Sequence, residues 1–344
     1  MRNYRRIIFR FTIISFALSL YTLGYCQHSP YKLLQTIQLG GESKWDYLAF
    51  DQTHNVLYVS HGDRVTVISG ESDKVIGEIL HTDGVHGIAV APDLNRGFTS
   101  NGRSSSVTIF DLNTLQTIDT INIGSGKNPD AILYEPLTKR VFTFNGKTND
   151  ATVIDAITGT VIGSIPLGAR PEFATCDSAG IIYDALESTN EVAVIDAKKM
   201  TIIDRWRTGS GDEPSCLSLD KSNSILYVGC GNAKMIVMDT KTGKVITSLQ
   251  TGKGTDACDF NPLTKSAYSS NGEGSLTVIK ENSPNSFKII ENLKTQLGAR
   301  TMAIDYIHDV IYLATAEYEE VDKLALNARP KAKPNTFIIL KYGH

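Results

Sequence analysis

A phrase of five residues returns seven times along the chain, and its spacing decides what the chain can fold into. It reads Val65-Thr-Val-Ile-Ser69, Val107-Thr-Ile-Phe-Asp111, Ala151-Thr-Val-Ile-Asp155 and Val192-Ala-Val-Ile-Asp196. It goes on as Met235-Ile-Val-Met-Asp239, Leu276-Thr-Val-Ile-Lys280 and Phe337-Ile-Ile-Leu-Lys341. The closing residues of these copies lie 42, 44, 41, 43, 41 and 61 positions apart. A fixed period of about forty residues marks stacked supersecondary units. Residues 214–250 show one unit in full. Ser215 to Asp220, Ile225 to Gly229, Met235 to Asp239 and Lys244 to Leu249 are β-rich runs. Lys221-Ser-Asn-Ser224, Gly231-Asn-Ala and Thr240-Lys-Thr-Gly243 are the turns between them. Four short strands and their turns describe one antiparallel blade. Seven such blades packed radially make an all-β, seven-bladed β-propeller, read here as a single domain over 27–344. No stretch carries helical apolar periodicity long enough to compete.

The ends of the repeat array predict closure. The seventh unit stops at its third strand, Thr336 to Tyr342. The segment Leu33 to Leu39 resembles the fourth strands Thr117 to Ile123 and Val161 to Leu167. Pairing it with the last blade removes an exposed sheet edge, the liability that open sheets carry.

The first 26 residues read as a secretory signal. Arg2, Arg5, Arg6 and Arg10 form a basic region, and Phe11 to Leu23 is an apolar run too short to favour a membrane span. The expected location is periplasmic or secreted, with no transmembrane span after processing. Cys26 leaves a second reading open, a lipoprotein acylated there, although Tyr25 is larger than such a site favours. Without the signal the net charge falls from −3 to −7, which weighs against nonspecific nucleic-acid binding. Four cysteines remain, Cys176, Cys216, Cys230 and Cys258, with no C-x-x-C spacing. Cys216 and Cys230 fall on paired first and second strands of one blade and are the candidate disulfide.

With the repeat laid out, the frame of Val192-Ala-Val-Ile-Asp196, Thr242-Gly-Lys-Val-Ile246, Gly168-Ala-Arg-Pro171 and Tyr227-Val228 resembles the YVTN repeat of the YncE-like propellers. The resemblance covers nearly the whole mature chain. It implies the propeller fold strongly and an activity weakly. Some relatives are described as DNA-binding, and others as repeat proteins of unknown role. The chain departs from WD40 proteins, since no Trp-Asp ends its third strands and only Trp45 and Trp206 are present. Related quinoprotein and nitrite-reductase propellers hold PQQ or haem, but no motif for either is present.

Function is expected where the seven units differ and converge. The residues that begin the innermost strands are Asp46, His86, Asp130, Glu172, Ser215, Asp256 and Arg300. Fifteen residues later come His61, Asn101, Asn145, Glu187, Cys230, Asn271 and Thr315. In an antiparallel hairpin the start of one strand lies beside the end of the next. Two polar rings are therefore expected at one mouth of the central channel. Carboxylates with amide oxygens suit a hard cation such as Ca²⁺, with Asp130, Asn145, Asp256 and Asn271 as candidate ligands. Asp and Asn also cap turns, and that structural role competes at every one of these positions. His61 and His86 are the histidines placed for catalysis, without a G-x-S-x-G frame beside either. An insertion of about twenty residues, Glu317 to Asn335, is expected on the same face, as a lid, a partner surface or a solvated linker.

Three functions stay open on the sequence. The first is a noncatalytic scaffold, expected to be monomeric, binding a small molecule, glycan or protein at the mouth. The second is a metal-dependent, lactonase-like hydrolase at the same place. The third, from the resemblance alone, is a DNA-binding propeller.

Overall fold

The computed structural model describes residues 30–319 and 331–344. The expected signal segment and the stretch 320–330 of the insertion, with Glu320, Arg329 and Pro330, lie outside the described residues.

Each unit folds as its spacing predicts, because β-branched and aromatic residues fill the runs and turn formers separate them. The result is seven four-stranded antiparallel sheets. The first strands of blades one to six are Leu48–Asp51, Val85–Ala91, Pro129–Glu135, Pro171–Cys176, Pro214–Asp220 and Thr255–Asn261. Blade seven begins with Thr301–Asp305 and Val310–Thr315 and continues with Ile338–Gly343. Its outermost strand is Lys32–Gln38, which pairs antiparallel with Ile338–Gly343 from Lys32 opposite Gly343 to Gln38 opposite Ile338. Among the described residues the helical content is two single 3-10 turns, Pro92–Leu94 and Glu187–Thr189. No described helix is long and apolar enough to cross a membrane.

The Asp that closes four of the third strands has a local job. Asp111, Asp155, Asp196 and Asp239 each accept backbone N–H groups two and three residues on, at 2.7–3.1 Å. These bonds close the turn into the fourth strand. In the turn after Asp239, Gly243 has φ +67°, and the Trp206 indole lies 2.4 Å from where a Cβ would stand. No other residue type fits there.

Between blades the core is built on one repeated aromatic, the third residue of each second strand. Tyr58, Phe98, Phe142, Tyr183, Tyr227, Tyr268 and Tyr312 are all at most 3% exposed. Tyr227 stacks on Phe260 of the next blade at 5.4 Å, and Tyr312 on Phe50 at 5.6 Å. Burying a ring of this kind contributes roughly 2–3 kcal/mol, so these side chains hold neighbouring blades together. The outer strands face water, with Val75 and Ile76 about half exposed.

The cysteines correct an expectation. All four are buried free thiols. A bulge between Pro214 and Cys216 sets Cys216 opposite Gly229 and Cys230 opposite Pro214. Cys216 then packs with Cys258 in one interblade core, and Cys230 with Leu217 and Leu226 in another. The two thiols leave the sheet on opposite faces, so the strand pairing that brings their backbones close does not bring their sulfurs together.

Candidate functional site

In five of the seven blades a backbone irregularity falls at the residue that begins the inner strand. In blades two to six the pairing of first and second strands slips at this point, between Val85 and Ile88, Pro129 and Ile132, Pro171 and Ala174, Pro214 and Cys216, and Thr255 and Ala257. A bulge re-aims a side chain out of the sheet's alternation. His86, Asp130, Glu172, Ser215 and Asp256 are the residues so placed. Asp46 and Arg300 occupy the same position just ahead of the inner strands of blades one and seven.

These side chains interact across blades. His86 Nδ1 donates to Asp46 Oδ2 at 2.6 Å and lies 3.6 Å from Asp130 Oδ1. Arg170 pairs with Glu172 at 3.2 Å and with Glu187 at 2.7 Å. Arg300 Nε pairs with Asp256 at 3.0 Å. Ser215 is spent on structure, donating to the Thr255 carbonyl at 2.7 Å. The charges are crowded and half buried. Burial and the neighbouring Asp46 charge push Asp130 up to about 7. Burial and Asp130 push Glu172 up to about 8. Burial alone would lower His86, but its hydrogen bond to Asp46 and the surrounding carboxylates raise it to about 8.

The second expected ring does not face the channel. Asn101, Asn145 and Asn271 are fully buried. Asn101 accepts from Thr99 at 2.9 Å and donates to Ser106 and Thr108 at 3.1 and 2.9 Å. Asn145 makes the matching bonds with Thr143, Asp150 and Thr152, and Asn271 with Thr255, Ser269 and Ser275. Their amides tie strand two to strand three inside the blade. The physical reason is the pleat: the last residue of the second strand keeps the sheet's alternation and turns inward. Asn145 and Asn271 are thereby removed as metal ligands, and the Ca²⁺ set drawn from them does not form.

His61 behaves alike. Its Nε2 donates to the Glu42 carbonyl at 2.9 Å, which leaves Nδ1 to accept from Thr66 at 3.1 Å. Burial lowers its basicity, so it is a neutral structural residue. Glu187 lies one position past the strand end, which is Leu186, and joins the mouth only through Arg170. Cys230 and Thr315 are fully buried.

The sequence reading missed the floor of the mouth. Tyr47 and Phe173 follow Asp46 and Glu172 directly, come from blades one and four, and meet across the axis with ring centroids 5.5 Å apart. The Tyr47 hydroxyl donates to the Glu172 carbonyl at 3.0 Å. Other blades carry Gly87, Ala131, Cys216, Ala257 and Thr301 here, so an aromatic at this one offset was the available signal. Beneath lies a chamber of about 530 Å³ whose lining includes Leu48, Ile88, Ile132, Leu217 and Met302. Above, over blades one to three, a second cavity of about 550 Å³ opens onto Asp46 and His86, with Trp45, Lys127 and Lys147 in its wall. The base of the insertion borders this face. Lys333 donates to Glu317 at 2.7 Å, Glu319 to Lys331 at 2.8 Å, and Asn335 to Gly41 at 2.9 Å.

No protein-family model matches the chain, and no curated protein does. Solved structures do. The chain is similar to the WD40 repeats of RRP9, at 10% identity and TM-score 0.75, over 91% of this chain and 97% of that one. It is similar to a chain of the mitotic checkpoint complex, at 13% identity and TM-score 0.72, over 90% and 95%. A third likeness is to Kuenenia stuttgartiensis hydrazine synthase, at 17% identity and TM-score 0.69, over 84% and 96%. At these identities the likeness shows the fold, a seven-bladed β-propeller.

Proposed function

We propose that the protein is an exported, noncatalytic binding scaffold of the YncE-like kind, whose mouth takes a ligand that supplies positive charge. One observation carries this reading. Asp46, Asp130, Glu172 and Asp256 converge on a cup floored by Tyr47 and Phe173, and Asp46 and Asp130 share the single cation His86 between them. Convergent polar groups in a concavity mark binding sites, and like charges this close call for a further cation or a proton. The locked, neutral His61 favours binding over catalysis. One similar structure belongs to the mitotic checkpoint complex, an assembly, which agrees with a scaffold role. The basic, then apolar N-terminus supports export, and the intact mass of the exported protein tests it: the expected mature chain begins near residue 27.

The mouth is tested by thermal unfolding with a panel of small ions. Arginine, spermidine, Ca²⁺, Mg²⁺ and Zn²⁺ are set against acetate, phosphate and sulfate. At least one of the cations is expected to raise Tm, and the rise should vanish in Asp46→Asn/Asp130→Asn. A rise with anions alone, or with nothing, overturns the reading.

A further inference from the structure

Three blades in succession place one metal-ligating atom each at the same spot. Asp46 Oδ2, His86 Nδ1 and Asp130 Oδ1 all lie within 4.8 Å of one another. A tetrahedral ion with bonds of about 2.0–2.2 Å sets its ligands roughly 3.5 Å apart. The 3.6 Å from His86 to Asp130 already matches, and the 2.6 Å from His86 to Asp46 need only open as an ion replaces the Nδ1 proton.

A separate observation points the same way. Asp130 is 8% exposed. Among the described residues its carboxylate accepts no hydrogen bond, and the one cation within 4 Å of it is the His86 nitrogen at 3.6 Å. A desolvated carboxylate without a donor is costly, and buried charges of this kind are normally paired or coordinate a metal. The other acids of the mouth are differently placed, since Arg170 holds Glu172 and Arg300 holds Asp256. The acids without an arginine partner are therefore those of blades one and three. The cavity of about 550 Å³ opens there, onto Asp46 and His86, with Lys44, Arg103, Lys127 and Lys147 also in its wall, and gives room for water.

We infer that Asp46, His86 and Asp130 form a binding site for one divalent transition-metal ion of the zinc class, with water from the overlying cavity completing a four-coordinate shell. The inference rests on the reading of the mouth as a cation site and names the cation. The donor set selects the class. One imidazole nitrogen and two carboxylates suit Zn²⁺ or Co²⁺. Ca²⁺ takes six to eight oxygens, and Mg²⁺ takes an octahedral oxygen shell. The Asn145 and Asn271 amides that would have enlarged an oxygen set are turned into their blades.

The test uses the untagged mature chain, stripped with chelator, in calorimetric titrations with Zn²⁺ and Ca²⁺ and an optical titration with Co²⁺. One Zn²⁺ per chain is expected, with affinity at least about a hundredfold above that for Ca²⁺. Co²⁺ should give the intense visible bands of a four-coordinate site. His86→Ala and Asp130→Asn, each first shown to unfold at close to the wild-type temperature, should each weaken Zn²⁺ binding by about a hundredfold or more, beyond the loss of an outer-shell partner. His308→Ala removes the imidazole of a His–Asp pair at the far rim, 2.6 Å from Asp305, and should leave binding unchanged. Equal Zn²⁺ affinity in wild type and both mouth variants overturns the inference. So does a mouth that responds to arginine or spermidine and not to Zn²⁺ or Co²⁺, in which case the broader cation reading stands. No response to any cation overturns both.

Discussion

The two rims of the channel carry the same residue types and use them differently. At the far rim, Asp51 meets the His54 imidazole at 2.7 Å, and Asp305 meets His308 at 2.6 Å. Each of these acids also accepts two backbone N–H groups of the turn it opens, Thr53 and His54 for Asp51, Ile307 and His308 for Asp305. Glu135 and Asp220 do the same work in blades three and five. At the mouth, Asp46 meets His86 at 2.6 Å, and among the described residues neither Asp46 nor Asp130 accepts a backbone N–H through its carboxylate. A carboxylate satisfied by its own turn is part of the fold. One left to other side chains is available to a ligand. For Asp130 the difference lies in the backbone, because a turn presents its N–H groups to the residue that starts it, and a bulge does not.

Removing turn acids should have the largest effect. Asp51→Ala with Asp305→Ala strands four backbone donors and should cost about 4 kcal/mol in urea unfolding. Asp46→Asn with Asp130→Asn at the mouth should change stability by less than about 1 kcal/mol. Similar losses for the two pairs would erase the distinction between the rims.

Between the rims, Asp184 belongs to neither use. It is fully buried, and both its carboxylate oxygens lack a partner. Burial, with the Glu172 charge, raises it well above the ordinary carboxylate range. An acid raised in the folded state contributes most when protonated, and its contribution falls as pH rises above the unfolded value. The matching positions in blades one and five are Val59 and Val228. Asp184→Val should therefore stabilise by about 2 kcal/mol at pH 7.5, with the gain shrinking toward pH 4 in parallel melts. A loss at pH 7.5 would assign this carboxyl a role that the buried geometry does not show.

Asp259 lines the chamber and accepts from the Tyr306 hydroxyl at 2.7 Å. Burial lifts it to about 6. Native stability should drop between pH 4 and pH 6 by about 1.5 kcal/mol through this group, below the full linkage value because the carboxyl is only partly buried. Comparison with Asp259→Asn, in which that component is absent, measures it. A smaller effect than at Asp259 is expected from Tyr47→Phe. It removes the bond to the Glu172 carbonyl but keeps the contact with Phe173, at a cost of about 1 kcal/mol in the same unfolding assay. A larger loss would mean that the floor is held by its hydroxyl and not by stacking.

The fold was legible because the repeat is long, regular and punctuated by Asp and Gly at fixed offsets. Half of the mouth was legible for the same reason, since Asp46, His86, Asp130, Glu172, Asp256 and Arg300 share one offset. The other ring was misread because sequence spacing places a residue along a strand but not on a face of it. The side-chain period of two decides the face, and a one-residue shift reverses it. Asn101, Asn145 and Asn271 keep that period and point inward, whereas bulges break it for His86, Asp130, Glu172, Ser215 and Asp256. The partners of the three asparagines, such as Thr99 and Thr108, were visible two and seven residues away. Their threonine hydroxyls mark an internal ladder more directly than the amides mark a site.

The strand Lys32–Gln38 also sets a direction. It enters at the far rim, where the Tyr31 hydroxyl donates to Asp309 at 2.8 Å and its ring packs on His344, and it leaves toward the mouth, where Leu39 and Gly40 donate to the Phe337 carbonyl. Tyr31 therefore lies at the face opposite the acidic cup, and His344 lies beside it. A tether at either end would hold the propeller like a lamp on a stem, with its cup turned outward and unobstructed. A label or surface attachment at either terminus would present the mouth to solution by construction.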